Sequence, residues 1–282
     1  MATAITADST CDISPALYKR YDIAMVSLYI TLGDQTYRDG LDITPNELFQ
    51  YVERTGELPK TAAPSPEDYR AAFKRLADEG KGVVHISISS EMSASYANAC
   101  RAAKEFENVY VIDSRSLSTG SGLLVVKAAE LAALGLDAKE VSSRIASLVP
   151  QVEASFVVDT LTYLHKGGRC SSVAALGANL LHLKPCIEVR EGRMQVSKKY
   201  RGTLKRCLSD YVKDRLVDRA DIDPSRAFIT HTVQDAALLE HTRKAVLDAF
   251  PFAEVIITDA GGTISSHCGP GTLGVLFLRK EA

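Results

Sequence analysis

Several strand-like apolar runs in this chain end on clusters of hydroxyl residues, and that repetition constrains the fold more than any single motif. Ala4-Ile5 leads into Thr6, Ser9 and Thr10; Val83-Val84-His85-Ile86 into Ser87, Ser89, Ser90 and Ser93. Val109–Ile112 leads into Asp113-Ser114-Arg115-Ser116, and Val255–Ile257 into the run from Thr258 to His267. Open α/β sheets bind ligands at the carboxyl ends of their strands. The pattern therefore predicts one hydroxyl-lined site assembled from distant segments, whose neutral donors suit an oxyanion.

The first half alternates β-branched runs with helical patterns, the signature of crossover units and a mainly parallel sheet. Ser14-Pro15, Thr44-Pro45-Asn46-Glu47 and Ser65-Pro66-Glu67-Asp68 each read as a capped helix start. Around Leu148-Val149-Pro150 the composition changes: a helix over 138–147 ends and a strand over 152–158 begins. Beyond it, 184–190 and 193–196 flank Glu191-Gly192 as a hairpin. Helices near 204–217 and 236–249 alternate with strands at 227–230, 254–258 and 274–278. With 282 residues, two domains are expected: residues 1–150 as an amino-terminal α/β domain with a parallel sheet, and 151–282 as a second α/β domain with a mixed sheet.

With 33 Lys and Arg against 35 Asp and Glu, there is no electrostatic case for general nucleic-acid binding. The six cysteines are scattered, with no C-x-x-C pair and no His at zinc-ligand spacing, so they read as free thiols of a reducing compartment. The amino terminus lacks the pattern of a secretory signal, and Lys127 and Glu130 interrupt the longest apolar candidate. A cytoplasmic protein is expected. Gly269-Pro270-Gly271-Thr272-Leu273-Gly274 has the spacing of the dinucleotide fingerprint, but a strand follows it where that motif opens a helix. It reads instead as a turn that positions His267. A phosphate loop and a Gly-x-Ser-x-Gly elbow are both absent.

Of six histidines, His85, His165, His182, His231 and His241 look ordinary, whereas His267 is expected in a Gly/Ser-rich loop after a strand, where a side chain can reach a ligand. One serine of Ser89–Tyr96 is expected to cap the helix that follows, and the same geometry attracts an anion. Lys60–Pro66 reads as a proline-stiffened loop that either leads into its helix or holds Thr61 against a ligand. Leu161–Arg169 reads equally as a plain surface loop or a functional one. Asp8 and Asp113 read as loop-ordering groups; with Asp12 they show no spacing of a glycosidase or metal site. A hydrolase or transferase using His267 and a nearby serine is the competing reading of the same residues.

Ile5–Thr10, Thr61–Ser65, Ile88–Ser93, Asp113–Ser116, Leu161–Leu164 with Gly167-Gly168-Arg169, and His267–Gly271 together resemble the DegV family, whose members include the bacterial fatty-acid-binding proteins called FakB. The resemblance spans nearly the whole chain. It implies a two-domain α/β fold holding a long-chain fatty acid, its tail buried and its carboxylate near the domain junction. It also implies a carrier without catalytic residues, metal or cofactor, whose bound acid is phosphorylated by a separate ATP-dependent fatty acid kinase (FakA-like), giving acyl phosphate for phospholipid synthesis. The carboxylate-binding hydroxyls carry over to Thr61 and Ser93, with His267 nearby. Arg169 and Arg201 are candidates to meet the kinase or the new phosphate. Many relatives have Ser where Ala62 stands and Gly at Glu91 and Ala94, and His231-Thr232-Val233-Gln234 departs from His-x-Gly-Asn. These departures bear on ligand preference more than on fold.

The chemistry suits such a ligand. Burial is worth about 0.8 kcal/mol per methylene, so a tail of roughly fourteen groups contributes on the order of 10 kcal/mol before ordering costs. The carboxylate needs hydrogen bonds to replace its water. Thr61, Ser93 and His267 can donate them while leaving the acid nucleophilic.

Overall fold

The computed structural model describes residues 1–170 and 183–280; His182 lies outside them. Four strands, β1 (Thr3–Asp8), β2 (Ala24–Val26), β6 (Gly82–Ser87) and β7 (Val109–Asp113), form an all-parallel sheet in the order β2-β1-β6-β7. Helices α3 (Pro66–Asp78) and α4 (Ser95–Ala103) cover one face. There Tyr69, Phe73 and Leu76 pack with Ala99, Ala102 and Val83. Helices α5 (Ser118–Ala133) and α6 (Ala138–Leu148) cover the other. The expected starts of α1 (Pro15–Arg20), α2 (Pro45–Thr55) and α3 are present: the hydroxyls of Ser14, Thr44 and Ser65 accept from the N–H groups of Leu17, Glu47 and Asp68.

The second half builds a six-stranded mixed sheet from β8 (Val152–Val157), β9 (Leu183–Arg190), β10 (Arg193–Arg201), β11 (Ile222–His231), β12 (Glu254–Asp259) and β13 (Leu273–Arg279), in the order β10-β9-β8-β13-β11-β12. Only the β11–β12 pair is parallel. Helices α8 (Leu204–Leu216) and α9 (Ala236–Ala249) pack on each other, and Leu208, Tyr211 and Val212 share a core with Val246, Val275 and Phe277. The opposite face meets α5, which lies between the two sheets: Leu124 and Val125 belong to one apolar cluster with Ile5 and Ile86 on one side and Ala154, Phe228 and Leu276 on the other. A helix flanked by two sheets must be apolar nearly all round, and Leu123–Val126 are all buried. No helix among the described residues is long and apolar enough to cross a membrane.

Three features differ from the sequence reading. A small antiparallel sheet, β4-β3-β5, contains the hairpin of β3 (Tyr29–Leu32) and β4 (Gln35–Arg38), and Lys60–Ala62 joins it as β5 rather than standing as a loop. Strands of three or four residues are too short for their alternation to register. Thr162–Gly167 forms a short helix, α7. His267 lies not in a loop but in α10 (Gly262–Cys268). Glycine and serine are weak helix formers, and this helix is held by groups from elsewhere in the chain.

Candidate functional site

Between β1 and β6 the chain order of the parallel strands reverses, the kind of switch point at which open α/β sheets bind ligands beyond their strands' carboxyl ends. Asp8 orders the segment that follows β6. Its carboxylate accepts from the Tyr69 hydroxyl at 2.6 Å, the Ser87 hydroxyl at 2.7 Å and the Ile88 backbone N–H at 2.9 Å. Asp113 does the same for the next strand, accepting from the backbone N–H groups of Ser90 and Arg115. Both loops are thereby fixed.

Above this floor lies a cavity of about 180 Å³ that gathers Thr61 from β5, Ser93 from the segment before α4, Arg169, and Thr263 and His267 from α10. Ile88, Leu117, Met194 and Ile264 line it as well. All four belong to an apolar cluster with Phe156, Val158 and Leu164. The cavity therefore has a polar group of side chains beside an apolar wall.

Thr61 Oγ1 and His267 Nε2 are 2.8 Å apart, across 206 residues of chain. The other ring nitrogen, Nδ1, is buried and has no hydrogen-bond partner among the described residues. It faces Gly167, where an added Cβ would lie 2.6 Å from it; only a residue without that atom allows α7 and α10 to approach so closely. Burial drives the His267 pKa down to about 4, and the positive charge of Arg169 acts in the same direction. The ring is thus neutral near pH 7. In the tautomer protonated at Nε2 it donates to Thr61 and leaves the Thr61 proton for the cavity.

Two carboxylates of the first half hold the start of α10. The Gly261 N–H donates to Asp12 at 2.9 Å and the Gly262 N–H to Asp39 at 2.8 Å. Ser118 and Ser9 donate to their second oxygens. Acidic groups are favourable at a helix N-terminus. The Asp12 carboxyl is nevertheless pushed well up by burial, against the bonds from Ser118 and Gly261. Asp39 directly follows β4 and Thr61 lies on β5, so one small sheet contacts α10 at both ends. At the far end Gly269, with φ of 76°, turns the chain toward β13. The Gly-Pro-Gly run is the turn after His267.

Ser93 Oγ is 2.8 Å from Ser95 Oγ and accepts from the Ser95 N–H at 3.2 Å, one residue ahead of the N-cap, Ala94. The predicted capping serine therefore points partly at its own helix. Arg169 is exposed, donating to the Gly167 carbonyl at 2.8 Å. Arg201 does not line the cavity: it ends β10, seven residues beyond Met194, which is roughly 23 Å along a strand. The serines nearest His267 in sequence are engaged elsewhere, Ser265 with the Ala260 carbonyl and Ser266 with the Gly262 carbonyl. Neither hydrogen-bonds His267. The sequence reading passed over Thr263, which is 4% exposed and whose hydroxyl has no partner among the described residues; its only signal is a position four residues before His267, on the same helix face.

Comparison with known proteins agrees with this architecture. The model of the family described as an uncharacterised protein, DegV family, matches residues 2–280. A DegV domain-containing protein of Caldanaerobacter subterraneus is 32% identical over 281 residues, covering 98% of this chain and 99% of that one. Among solved structures, a DegV family protein from Thermus thermophilus described by its fatty-acid binding is similar with a TM-score of 0.90 and 31% identity, covering 99% of this chain and all of that one. A stearic-acid-binding protein from Eubacterium ventriosum is similar at 0.87 and 27%, covering 99% and 98%. The matched length, the parallel sheet flanked by helices and the second mixed sheet together establish that this chain belongs to the DegV family.

Proposed function

We propose that this protein binds a long-chain fatty acid, with Thr61 and Ser93 donating to its carboxylate, His267 setting the Thr61 proton, and the tail among Ile88, Leu117, Met194 and Ile264. The observation that carries this reading is the meeting of Thr61, Ser93 and His267 at one cavity backed by an apolar cluster. Fatty-acid binding by the Thermus and Eubacterium relatives supports it. At about 180 Å³ the cavity is smaller than the ~300–1,000 Å³ of typical ligand sites. A long tail therefore enters by parting the apolar side chains beyond it.

In the same reading the protein is a cytoplasmic carrier. It presents the carboxylate to a separate ATP-dependent fatty acid kinase of the FakA kind, which makes acyl phosphate for phospholipid synthesis. Residues 1–150 and 151–282 act as two domains with the lipid near their junction. Neutral donors support this role, because they replace water at the carboxylate without drawing off its charge as an arginine fork would. Arg169, exposed beside the cavity, is the residue best placed to meet the kinase.

Native mass spectrometry of protein purified from bacteria tests the first step: a co-purifying acyl chain is expected, and no acyl adduct even after titration with oleate defeats it. The second step is tested by incubating loaded protein with a purified fatty acid kinase and ATP and trapping acyl phosphate as hydroxamate. No product from a protein that does bind oleate confines the function to binding.

A further inference from the structure

Three hydroxyls line the cavity among the described residues, and two of them already have partners. Thr61 is bonded to His267 Nε2 and Ser93 to Ser95. Thr263 is the third, and its Oγ1 is buried with no hydrogen-bond partner among the described residues. A threonine in a helix ordinarily satisfies its hydroxyl on the carbonyl four residues earlier. Thr242 and Ser266 do so here, on the carbonyls of Leu238 and Gly262. Thr263 is in the first turn of α10, just after the two glycines held by Asp12 and Asp39, and its hydroxyl makes no such bond.

An unmet buried hydroxyl destabilises the free protein, and its position says what it awaits. Residues 263 and 267 share a helix face, and helical side chains lean toward the N-terminus. The His267 ring therefore leans back over the turn that carries Thr263, so the group that approaches Thr61 and His267 arrives beside the Thr263 hydroxyl too. A carboxylate offers about four lone-pair sites, more than Thr61 and Ser93 fill.

We infer that Thr263 is a further binding residue, a third hydroxyl donor to the ligand's carboxylate whose proton is uncommitted in the free protein. This rests on the fatty-acid reading and adds to it a residue whose cost in the free protein is recovered on binding. The two states make opposite demands on one side chain. Valine has nearly the shape of threonine and no hydroxyl, so T263V removes the unmet group and the donor together.

The test measures urea unfolding of delipidated protein and oleate affinity by calorimetry for wild type, T263V and T263S. T263V is expected to raise the unfolding midpoint of the free protein while weakening oleate about tenfold, and T263S to keep affinity within twofold of wild type. A T263V protein that loses stability when free overturns the inference, because the hydroxyl then has an internal partner. T263V with greater stability and unchanged affinity also overturns it, leaving an unmet hydroxyl that serves no ligand. A wild type that binds no oleate is a different failure: it removes the fatty-acid reading itself, and with it the role for Thr263.

Discussion

The two ends of the cavity are built in opposite ways. At one end the polar groups, Thr263 excepted, are held by specific partners: His267 by Thr61 and the close backbone of Gly167, the start of α10 by Asp12 and Asp39, Ser93 by Ser95. At the other end Ile88, Leu117, Met194 and Ile264 belong to a general apolar cluster that also includes Phe156 and Val158. Hydrogen bonds have lengths and angles to satisfy, whereas apolar burial is non-directional and scales with area. One end can therefore set orientation and head-group chemistry, and the other the strength of binding.

Chain length is the largest lever for separating them. Shortening the ligand by six methylenes should weaken binding by roughly 5 kcal/mol at ~0.8 kcal/mol each, by the same amount in wild type and T61A. A calorimetric series whose slope per methylene differs between the two proteins breaks the division. Next comes pH. The His267 pKa in the folded protein, about 4, lies below its ordinary 6.5, so the unfolded chain binds the proton first as pH falls. Stability from the neutral ring is complete above 6.5 and is lost toward 4, to a total of about 3 kcal/mol. Comparing H267Q with wild type by urea unfolding at pH 7, 5.5 and 4.5 isolates it: the two should converge on acidification, and parallel curves refute it.

Head-group variants come third. T61A should weaken the free acid by about 1.5–3 kcal/mol, the range for hydrogen bonds to a charged group, and the methyl ester far less; equal losses for both would mean that Thr61 acts on packing alone. R169A should have the smallest effect on affinity, within twofold, since the side chain is exposed and bonds to a backbone carbonyl, while slowing kinase turnover. Unimpaired turnover at limiting kinase concentration removes Arg169 from the contact.

Legibility followed the same divide. The caps at Ser14, Thr44 and Ser65 depend on residues three apart and were readable locally, as were the alternation of strands and helices behind the parallel sheet and the helix over 138–147. The α10 helix was not, because its stabilising carboxylates lie more than 200 residues away in sequence, and β3, β4 and β5 are too short to show a period. Thr61, Ser93 and His267 emerged from the family resemblance; the structure brings them to one cavity, and Arg201 to another part of the molecule. Thr263 looked like any threonine, since what distinguishes it is the partner it lacks. The apolar wall gave no signal, because a residue that lines a ligand and one that fills a core have the same composition.

The placement of α5 between two sheets carries a consequence for how the chain is made. Its Leu124 and Val125 pack with Ile5 and Ile86 and also belong with Ala154, Phe228 and Leu276, but synthesis delivers the second set last. When the first 150 residues have been made, the face of α5 that packs on Phe228 and Leu276 has no partner yet. At ~5–20 residues per second, closing that face waits for roughly ten seconds of further elongation, until β11 and β13 emerge. Until then that face is apolar surface without its native cover.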